Sequence, residues 1–435
     1  AKQFEHARLI NAVDNIFPLK KAKGTLEGAT AIILGGGPTL DDSIDWIRAN
    51  QDSLIIFAAG RIAGRLVAER IKPDFFVSVD PQEEGYDNTK GIIEFRDRAT
   101  LITSYHVSPK ILSQWPGAVT YAGLKYGWEN KDYTENIEIP GPTVTNAALG
   151  AAYALGCDSF ILAGVDFCYA YGRTHEASSD EVRVGAHLHK LSPYEVENNA
   201  GEVVRTEYGY ASARDNMEFY ISQYLKAKPD LQFVSLGLAS AKIKNVLYVD
   251  KSALTLESFD KQKIEDLRKL FIADKAEYLS YAQKTLTELK AQKTHFFKIK
   301  SLANEGLGVL PKLYKEGSDT PKFKAMARVQ KLRKKLNRLI GEDGDLLMNY
   351  DTSYFYDSFK PVEDESNIQS NEVVDQFKGL FQGVISSVDE YVKIIDLSIE
   401  RANLRLDELS DDVSVCQLLH KWREYGEFGR ALRWS

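Results

Sequence analysis

Short apolar runs alternate with amphipathic stretches from residue 29 to about residue 250 of the chain. The runs are too short for buried helices and predict strands, whereas the stretches between them show the apolar spacing of helices. The predicted strands lie at residues 31–34, 53–59, 75–80, 101–104, 118–121, 159–166 and 232–236. This alternation predicts an α/β domain in which helices cover both faces of a parallel sheet.

The pattern changes at about residue 252, where the predicted strands end and glycines become fewer. Apolar residues then recur at helical spacing within 263–293, 323–340 and 373–406. Such spacing predicts helices that each bury one face, as in a bundle. The sequence therefore predicts three consecutive parts, which are a lead-in segment at 1–28, an α/β domain at 29–250 and an all-α helical bundle domain at 251–435.

Composition narrows the class of protein. The chain has 435 residues, 44% of them hydrophobic and 27% charged, which is ordinary for a globular protein. Its net charge of −7 gives no general attraction to nucleic acid or anionic membranes. No apolar run approaches the ~18 residues of a membrane span, and the N-terminus lacks a signal-peptide pattern. Three widely spaced cysteines indicate neither a disulfide framework nor a zinc cluster. We expect a cytoplasmic protein with no nucleic-acid partner and no membrane insertion.

A glycine turn follows the first predicted strand. Three glycines occupy positions 35–37, and Pro38 and Thr39 then begin a predicted helix. Glycines let a ligand approach the backbone, and the first turn of a helix offers N–H groups and a positive dipole end that suit a phosphate. Leu40 stands where a dinucleotide fingerprint has its third glycine, and no Walker loop is present. The turn is therefore either a phosphate site of another kind or a tight turn without a ligand.

Polar residues also follow other predicted strands, at the edge where doubly wound sheets bind ligands. They include Gly60, Arg61, Asp80, Thr143, Thr145 and Asn146. Asp80 precedes a proline, so it either presents its carboxylate at the sheet edge or forms an Asx turn or helix cap. The two threonines and Asn146 either cap the helix that begins there or hold ribose and phosphate oxygens.

Asp166 ends the most continuous apolar run and leads into a cluster that contains Tyr169, Tyr171 and His175. Tyrosine hydroxyls donate to phosphate oxygens without a metal, and a histidine suits the role of general base. His187 is a second candidate base, in a long polar stretch that is either a functional lid or partly mobile. Each histidine taken singly has the alternative of a surface-loop residue. No metal-ligand motif appears, so no metal site is predicted.

Several of these motifs resemble, in the same order, those of the motility-associated factor (Maf) proteins. They are GGGPTL at 35–40, KPDFFVSVDP at 72–81, PTVTN at 142–146, LGC at 155–157 and AGVDF at 163–167. Maf proteins are bacterial glycosyltransferases that place pseudaminic or legionaminic acid on serine and threonine of flagellin. Their central domain is similar to sialyltransferases of glycosyltransferase family 42, which use CMP-sugars and need no metal. The resemblance covers about residues 29–250 and implies a Rossmann-like doubly wound sheet.

The resemblance also implies roles for individual residues. It assigns the nucleotide and donor sugar to Gly35, Gly36, Gly37, Pro38, Thr39, Asp80, Thr143, Thr145, Asn146, Tyr169 and Tyr171. Gly60 and Asp166 join this set from their places at strand ends. Asp80 stands where sialyltransferases carry an asparagine before proline, and its carboxylate repels a nearby phosphate. We therefore expect Asp80 to contact a ribose hydroxyl or the cytosine amine. The candidate bases are His175 first and His187 second.

The resemblance therefore implies an inverting, metal-independent transfer of a nonulosonic acid from its CMP-activated donor to flagellin, with no further cofactor. One alternative is ATP-dependent phosphoryl transfer, because the same domain class includes archaeal enzymes similar to 6-hydroxymethylpterin pyrophosphokinase, and that chemistry needs Mg²⁺. A second alternative is a flagellin-binding factor without enzymatic activity.

Overall fold

The structure is a computed structural model of the chain. It describes residues 2–14, 17–81, 86–125, 136–179, 192–315, 320–341, 347, 370–410 and 414–424. The described residues form two compact units. An α/β unit draws on Asp14–Leu124, Glu135–Asp274 and Leu419–Ser435, and a helical unit draws on Ala1–Val13, Lys125–Thr134 and Lys275–Leu418. Both units therefore combine separated segments, whereas the sequence predicts consecutive ones, because a hydrophobic pattern does not show which segments pack together.

The predicted class, a parallel α/β sheet followed by a helical region, is confirmed. The strands are β1 (Thr30–Leu34), β2 (Ile55–Ala59), β3 (Phe75–Ser78), β4 (Thr100–Ser104), β5 (Val119–Ala122), β6 (Ser159–Ala163), β7 (Tyr194–Glu197), β8 (Val203–Thr206), β9 (Gln232–Ser235) and β10 (Leu247–Tyr248). Among the described residues, eight of them form one sheet in the order β10-β9-β6-β1-β2-β3-β4-β5, in which all neighbours are parallel. Strands β7 and β8 form an antiparallel hairpin within the polar stretch that the sequence treats as a lid or mobile loop.

Helices cover the sheet of the α/β unit. They are α2 (Leu40–Asn50), α3 (Ala63–Glu69), α4 (Tyr86–Thr89), α5 (Pro109–Gln114), α6 (Val144–Leu155), α7 (Tyr208–Ala227) and α8 (Gln262–Lys269). Alternate residues of a strand point to opposite faces, and Ile32 and Leu34 of β1 share a core cluster with Leu40 and Ile44 of α2. Helix α6, rich in alanine, packs on β1, β2 and β3. The central strand β1 is consequently buried over four of its five residues.

The strand order reverses beside β1. From β1 the chain runs through β2, β3, β4 and β5 to one edge of the sheet and then places β6 on the other side of β1. In open α/β sheets, ligands bind beyond the carboxyl ends of the strands at such a reversal. The segments after β1 and β6 meet there, because the amide of Gly35 donates to Ala163 O at 2.9 Å. This point is the expected place for a site.

The helical unit is built on two long antiparallel helices. Its elements are α1 (Lys2–Asn11), α9 (Lys275–Val309), α10 (Phe323–Ile340) and α11 (Ser370–Leu409), and α12 (Val415–Glu424) follows them in the chain. Lys293 pairs with Asp396, and Lys300 pairs with Asp389. From the first pair to the second, the lysine position rises by seven residues and the aspartate position falls by seven. This is the register of an antiparallel helix pair. No helix among the described residues is long and apolar enough to cross a membrane.

Candidate functional site

A cavity of 480 Å³ lies in the α/β unit at the reversal of strand order. This volume is typical of small-molecule sites. Its walls come from the segments that follow β1, β2, β3 and β6, together with the starts of α6 and α7. The lining residues include Gly36, Gly37, Gly60, Arg61, Asp80, Asn88, Thr89, Thr143, Thr145, Asp166, Cys168, Thr174, His175 and Tyr210. Eight predicted site residues, far apart in sequence, therefore share this one cavity.

The glycine turn forms the floor of the cavity because of how closely it approaches the segment after β6. A Cβ on Gly35 would lie 2.2 Å from Gly164 O, and one on Gly37 would lie 2.5 Å from Asp166 Oδ2. Only glycine fits at these distances. The amide of Gly37 donates to Gly164 O at 2.8 Å, which fixes the turn against β6. Gly36 and Gly37 line the cavity, whereas Gly35 and Pro38 do not.

The buried side chain of Asp166 forms hydrogen bonds with the residue at the start of α2. Its Oδ2 accepts the Thr39 amide at 3.0 Å, and its Oδ1 accepts the Thr39 hydroxyl and, at 2.6 Å, the Ser240 hydroxyl. Burial raises the pKa of Asp166, and these three hydrogen bonds oppose that rise. The Thr39 hydroxyl thus faces Asp166 rather than the cavity. Ser240, which follows β9 after a Gly-Leu-Ala turn, is a partner that the sequence analysis did not anticipate.

His175 lies on the cavity wall in direct contact with Arg61. The guanidinium Nη1 of Arg61 meets His175 Nε2, and His175 Nδ1 lies 2.9 Å from Thr174 Oγ1. Arginine is always a donor, so Nε2 acts as the acceptor in this contact, which corresponds to the tautomer with a proton on Nδ1. Arg61 follows Gly60 at the end of β2. Its position directly after a predicted strand is what marks it in the sequence as a candidate site residue.

The segment that carries His175 is clamped to the glycine turn. The amide of Glu176 donates to Gly36 O at 2.9 Å, and the amide of Ala177 donates to Asp41 Oδ2 at 3.0 Å. Arg65 of α3 lies 3.7 Å from the buried Glu176 carboxylate and 3.5 Å from Asp41. Two backbone hydrogen bonds and these ion pairs therefore fix the position of the His175 backbone.

Residues at the start of α6 have two roles, because some of them cap the helix and some line the cavity. The Thr143 hydroxyl accepts the Asn146 amide at 3.3 Å and contacts Thr145 Oγ1 at 3.0 Å. Asn146 is buried, and its side-chain amide donates to Ala213 O at 2.9 Å and Asn216 Oδ1 at 3.0 Å in α7. Asn146 thus ties α6 to α7, while both threonines line the cavity.

The two tyrosines after β6 do not line the cavity. Tyr169 donates to Glu207 Oε2 at 3.0 Å, and Tyr171, which is exposed, donates to Asp42 Oδ2 at 2.6 Å. Burial and the Glu207 carboxylate raise the pKa of Tyr169 to about 12. Both hydroxyls remain protonated donors near neutral pH, engaged by carboxylates. Tyr210, at the start of α7, is the tyrosine that reaches the cavity.

Four further residues line the cavity. Asp80 lies at the rim, exposed to solvent, after β3. Asn88 and Thr89, in the short helix α4, add polar groups that no sequence motif indicated. Burial raises the pKa of the Cys168 thiol to about 12, which favours the protonated thiol near neutral pH.

His187 lies outside the described residues. Among the residues that the structure does describe, no group of three or more His, Cys, Asp or Glu side chains is placed to hold a metal ion.

Comparisons with known proteins match different lengths of the chain. The family model of 6-hydroxymethylpterin diphosphokinase MptE-like proteins matches residues 6–172. An uncharacterized protein of Treponema pallidum (strain Nichols) is 43% identical over 71 residues, which is 16% of this chain and 34% of that protein. The fold is similar to a Maf glycosyltransferase from Magnetospirillum magneticum AMB-1, with a TM-score of 0.56 and 20% identity over 97% of this chain. The chain spans 62% of that structure and about a third of the Treponema protein.

Proposed function

We propose that this chain is an inverting glycosyltransferase that moves a nonulosonic acid from its CMP-activated form to a serine or threonine hydroxyl of flagellin. The observation that carries the proposal is the cavity at the strand-order reversal, where Gly36, Arg61, His175 and the threonines at 143 and 145 converge. The similarity to the Maf glycosyltransferase fold and the order of the Maf-like motifs support it.

The reaction is a displacement at the anomeric carbon. The acceptor oxygen forms a bond to that carbon, the bond from the carbon to the phosphate oxygen of CMP breaks on the opposite face, and both bonding electrons leave with CMP. The acceptor proton passes to a base, for which Nε2 of His175 is suited because it carries the ring's lone pair. The phosphate gains one negative charge as it leaves. The Gly36 amide and the Arg61 guanidinium are the donors near that position.

Polar groups around the cavity suit the rest of the donor. The hydroxyls of Thr143 and Thr145 can donate to sugar oxygens, and the exposed Asp80 carboxylate can accept a ribose hydroxyl or the cytosine amine. Each of these contacts is a neutral or charge-assisted hydrogen bond. Arg61 is the cation that this proposal assigns to the phosphate.

The direct test is transfer to flagellin. The full chain is incubated with CMP-pseudaminic or CMP-legionaminic acid and unglycosylated flagellin, and the flagellin mass is measured. We expect a gain of one sugar mass per modified site and loss of that gain in His175→Gln. If flagellin gains no mass with either donor, the proposal is wrong.

The family-model match gives a second candidate, diphosphate transfer from ATP to a pterin alcohol. That chemistry depends on Mg²⁺ held between carboxylates and phosphates. Of the two cavity aspartates, Asp166 is engaged by Thr39 and Ser240, and only Asp80 faces solvent. Stabilisation in a thermal-shift assay by ATP with Mg²⁺, and not by CMP, would select this candidate.

A further inference from the structure

The glycine turn has few amide groups left for a ligand. Of the amides from Gly35 to Thr39, that of Gly35 donates to Ala163 O, that of Gly37 to Gly164 O and that of Thr39 to Asp166. Pro38 has no N–H. Within the described part of the chain, Gly36 is the one member whose amide has no acceptor. The buried Asp166 carboxylate already takes the anion-binding position at the start of α2. The glycine turn by itself therefore cannot offset the negative charge of a bound phosphate.

A cation lies directly over the turn. The position of a Cβ on Gly36 is 3.2 Å from Arg61 Cδ, so the Arg61 side chain packs against the residue that has the available amide. Arg61 is the only lysine or arginine among the described residues that line the cavity. Its planar fork of donors matches phosphate and carboxylate oxygens in pairs. A CMP-activated nonulosonic acid carries one anionic group of each kind.

The same guanidinium covers the proton acceptor. Arg61 Nη1 meets His175 Nε2, which is the nitrogen whose lone pair must receive the acceptor proton. The His175 backbone is held by the hydrogen bonds of Glu176 and Ala177, whereas the Arg61 side chain is exposed. We therefore expect the Arg61 side chain, rather than the His175 backbone, to move when the two groups separate. A charged phosphate is a stronger partner for a guanidinium than a neutral imidazole is.

We propose that Arg61 binds the anionic groups of the donor substrate, and that its contact with His175 keeps the imidazole occupied until the donor draws the guanidinium away. The inference rests on the proposed function for the identity of the donor. It makes donor binding the event that frees the base, so that the acceptor hydroxyl is activated only when a donor is present.

Binding measurements test the role of the phosphate contact. CMP, cytidine and inorganic pyrophosphate are each titrated into the full chain and into Arg61→Met, Arg61→Lys and the control Arg48→Met. Arg48 is an exposed residue of α2 that pairs with Asp45 and Glu69 and does not line the cavity. We expect Arg61→Met to weaken CMP binding about tenfold or more and leave cytidine binding unchanged, with Arg61→Lys between the two. The control variant keeps wild-type affinities.

Histidine NMR tests the contact itself. With ¹⁵N-labelled histidine, the His175 ring signals are assigned by comparison with His175→Gln. We expect the Nδ1–H tautomer in the free protein and a change at Nε2 on addition of CMP but not of cytidine. In Arg61→Met the signal should already differ from that of the free wild type.

The outcomes separate the two proposals. If Arg61→Met binds CMP as tightly as wild type, or if cytidine and CMP shift His175 equally, the role of Arg61 is wrong. If wild type responds to pyrophosphate through Arg61 but not to CMP, the donor identity is wrong and the anion-binding role of Arg61 stands. If wild type responds to none of the three probes, both proposals fail.

Discussion

The Thr39 amide and hydroxyl both donate to the carboxylate of Asp166, which lies 127 residues later in the chain. This contact joins the carboxyl ends of β1 and β6 at the reversal of strand order. It also places a buried carboxyl group where the first turn of α2 would otherwise receive a ligand phosphate. The consequence is a glycine turn that shapes the cavity while Arg61 supplies the charge.

The Asp166 carboxylate makes stability depend on pH in a predictable direction. Burial raises its pKa above the ordinary value of 3.8, so the native state holds the proton more readily than the unfolded state. The resulting stability is complete below that ordinary value and is lost as pH rises through the native pKa. Asp166→Asn keeps the acceptor for Thr39 and does not ionise. We expect the unfolding free energy of wild type to fall relative to that of Asp166→Asn as pH rises, measured by urea denaturation.

Asp250 provides the matched control for this titration. The hydroxyl and the amide of Ser252 hold the pKa of the exposed Asp250 below its ordinary value. Its contribution is therefore present above pH 3.8 and lost as pH falls. The difference between wild type and Asp250→Asn should change with pH in the opposite direction. Equal slopes for the two pairs would contradict the account of Asp166.

Lys261 and Asp74 form an ion pair whose loss should be costly. Lys261 Nζ lies 2.7 Å from Asp74 Oδ2, and Asp74 also accepts the Ile56 amide at 2.8 Å. Burial outweighs the lysine and raises the pKa of Asp74. Lys261→Met leaves a buried carboxylate without its cation, so we expect a loss of ~3 kcal/mol in urea denaturation at neutral pH.

The double variant Lys261→Met with Asp74→Asn separates charge from packing. Asparagine still accepts the Ile56 amide without a charge, so we expect the double variant to recover much of the lost stability. Strict additivity of the two single changes would show that the pair is not coupled.

Neighbouring glycines in the turn should respond differently to alanine. A Cβ at Gly37 lies 2.5 Å from Asp166 Oδ2 and 2.8 Å from Gly164 O, and neither atom can retreat from the buried core. A Cβ at Gly36 meets the exposed Arg61 side chain at 3.2 Å, which can move. We expect Gly37→Ala to lower Tm strongly and Gly36→Ala to fold with nearly wild-type Tm but weaker CMP binding. Gly64→Ala is the control, because a Cβ there meets nothing within 4 Å. A Tm of Gly37→Ala equal to that of this control would overturn the packing argument.

The helical unit offers its own matched pair of glycines in α9. A Cβ at Gly306 would lie 2.4 Å from the buried ring of Phe381 in α11, whereas one at the exposed Gly308 meets nothing within 4 Å. Overpacking costs ~1–3 kcal/mol, and alanine in a helix gains up to ~1 kcal/mol over glycine. We therefore expect Gly306→Ala to destabilise and Gly308→Ala to stabilise, measured by thermal unfolding. The same sign of change at both positions would refute the contact between α9 and α11.

Local pattern was sufficient for the class of fold. The apolar run at 31–34 predicts β1, which spans Thr30–Leu34, and the spacing at 323–340 predicts α10, which spans the same residues. The predicted helix at 263–293 is instead two helices, α8 and α9. The segment between them departs from helix, and Phe271 packs near Phe17 with ring centroids 6.4 Å apart. The periodicity of the sequence did not reveal this break.

The sequence by itself determined which positions are buried and which polar residues end strands. Burial of one face gives the hydrophobic pattern a period of two residues in a strand and 3.6 in a helix. It did not determine pairing. Asp166 meets Thr39 across 127 positions, and Arg61 meets His175 across 114. Such contacts depend on the strand order that sets β6 beside β1, and that order follows from how whole elements pack. Only the tertiary structure decided that the glycine turn is occupied from within and that Arg61 lies over it.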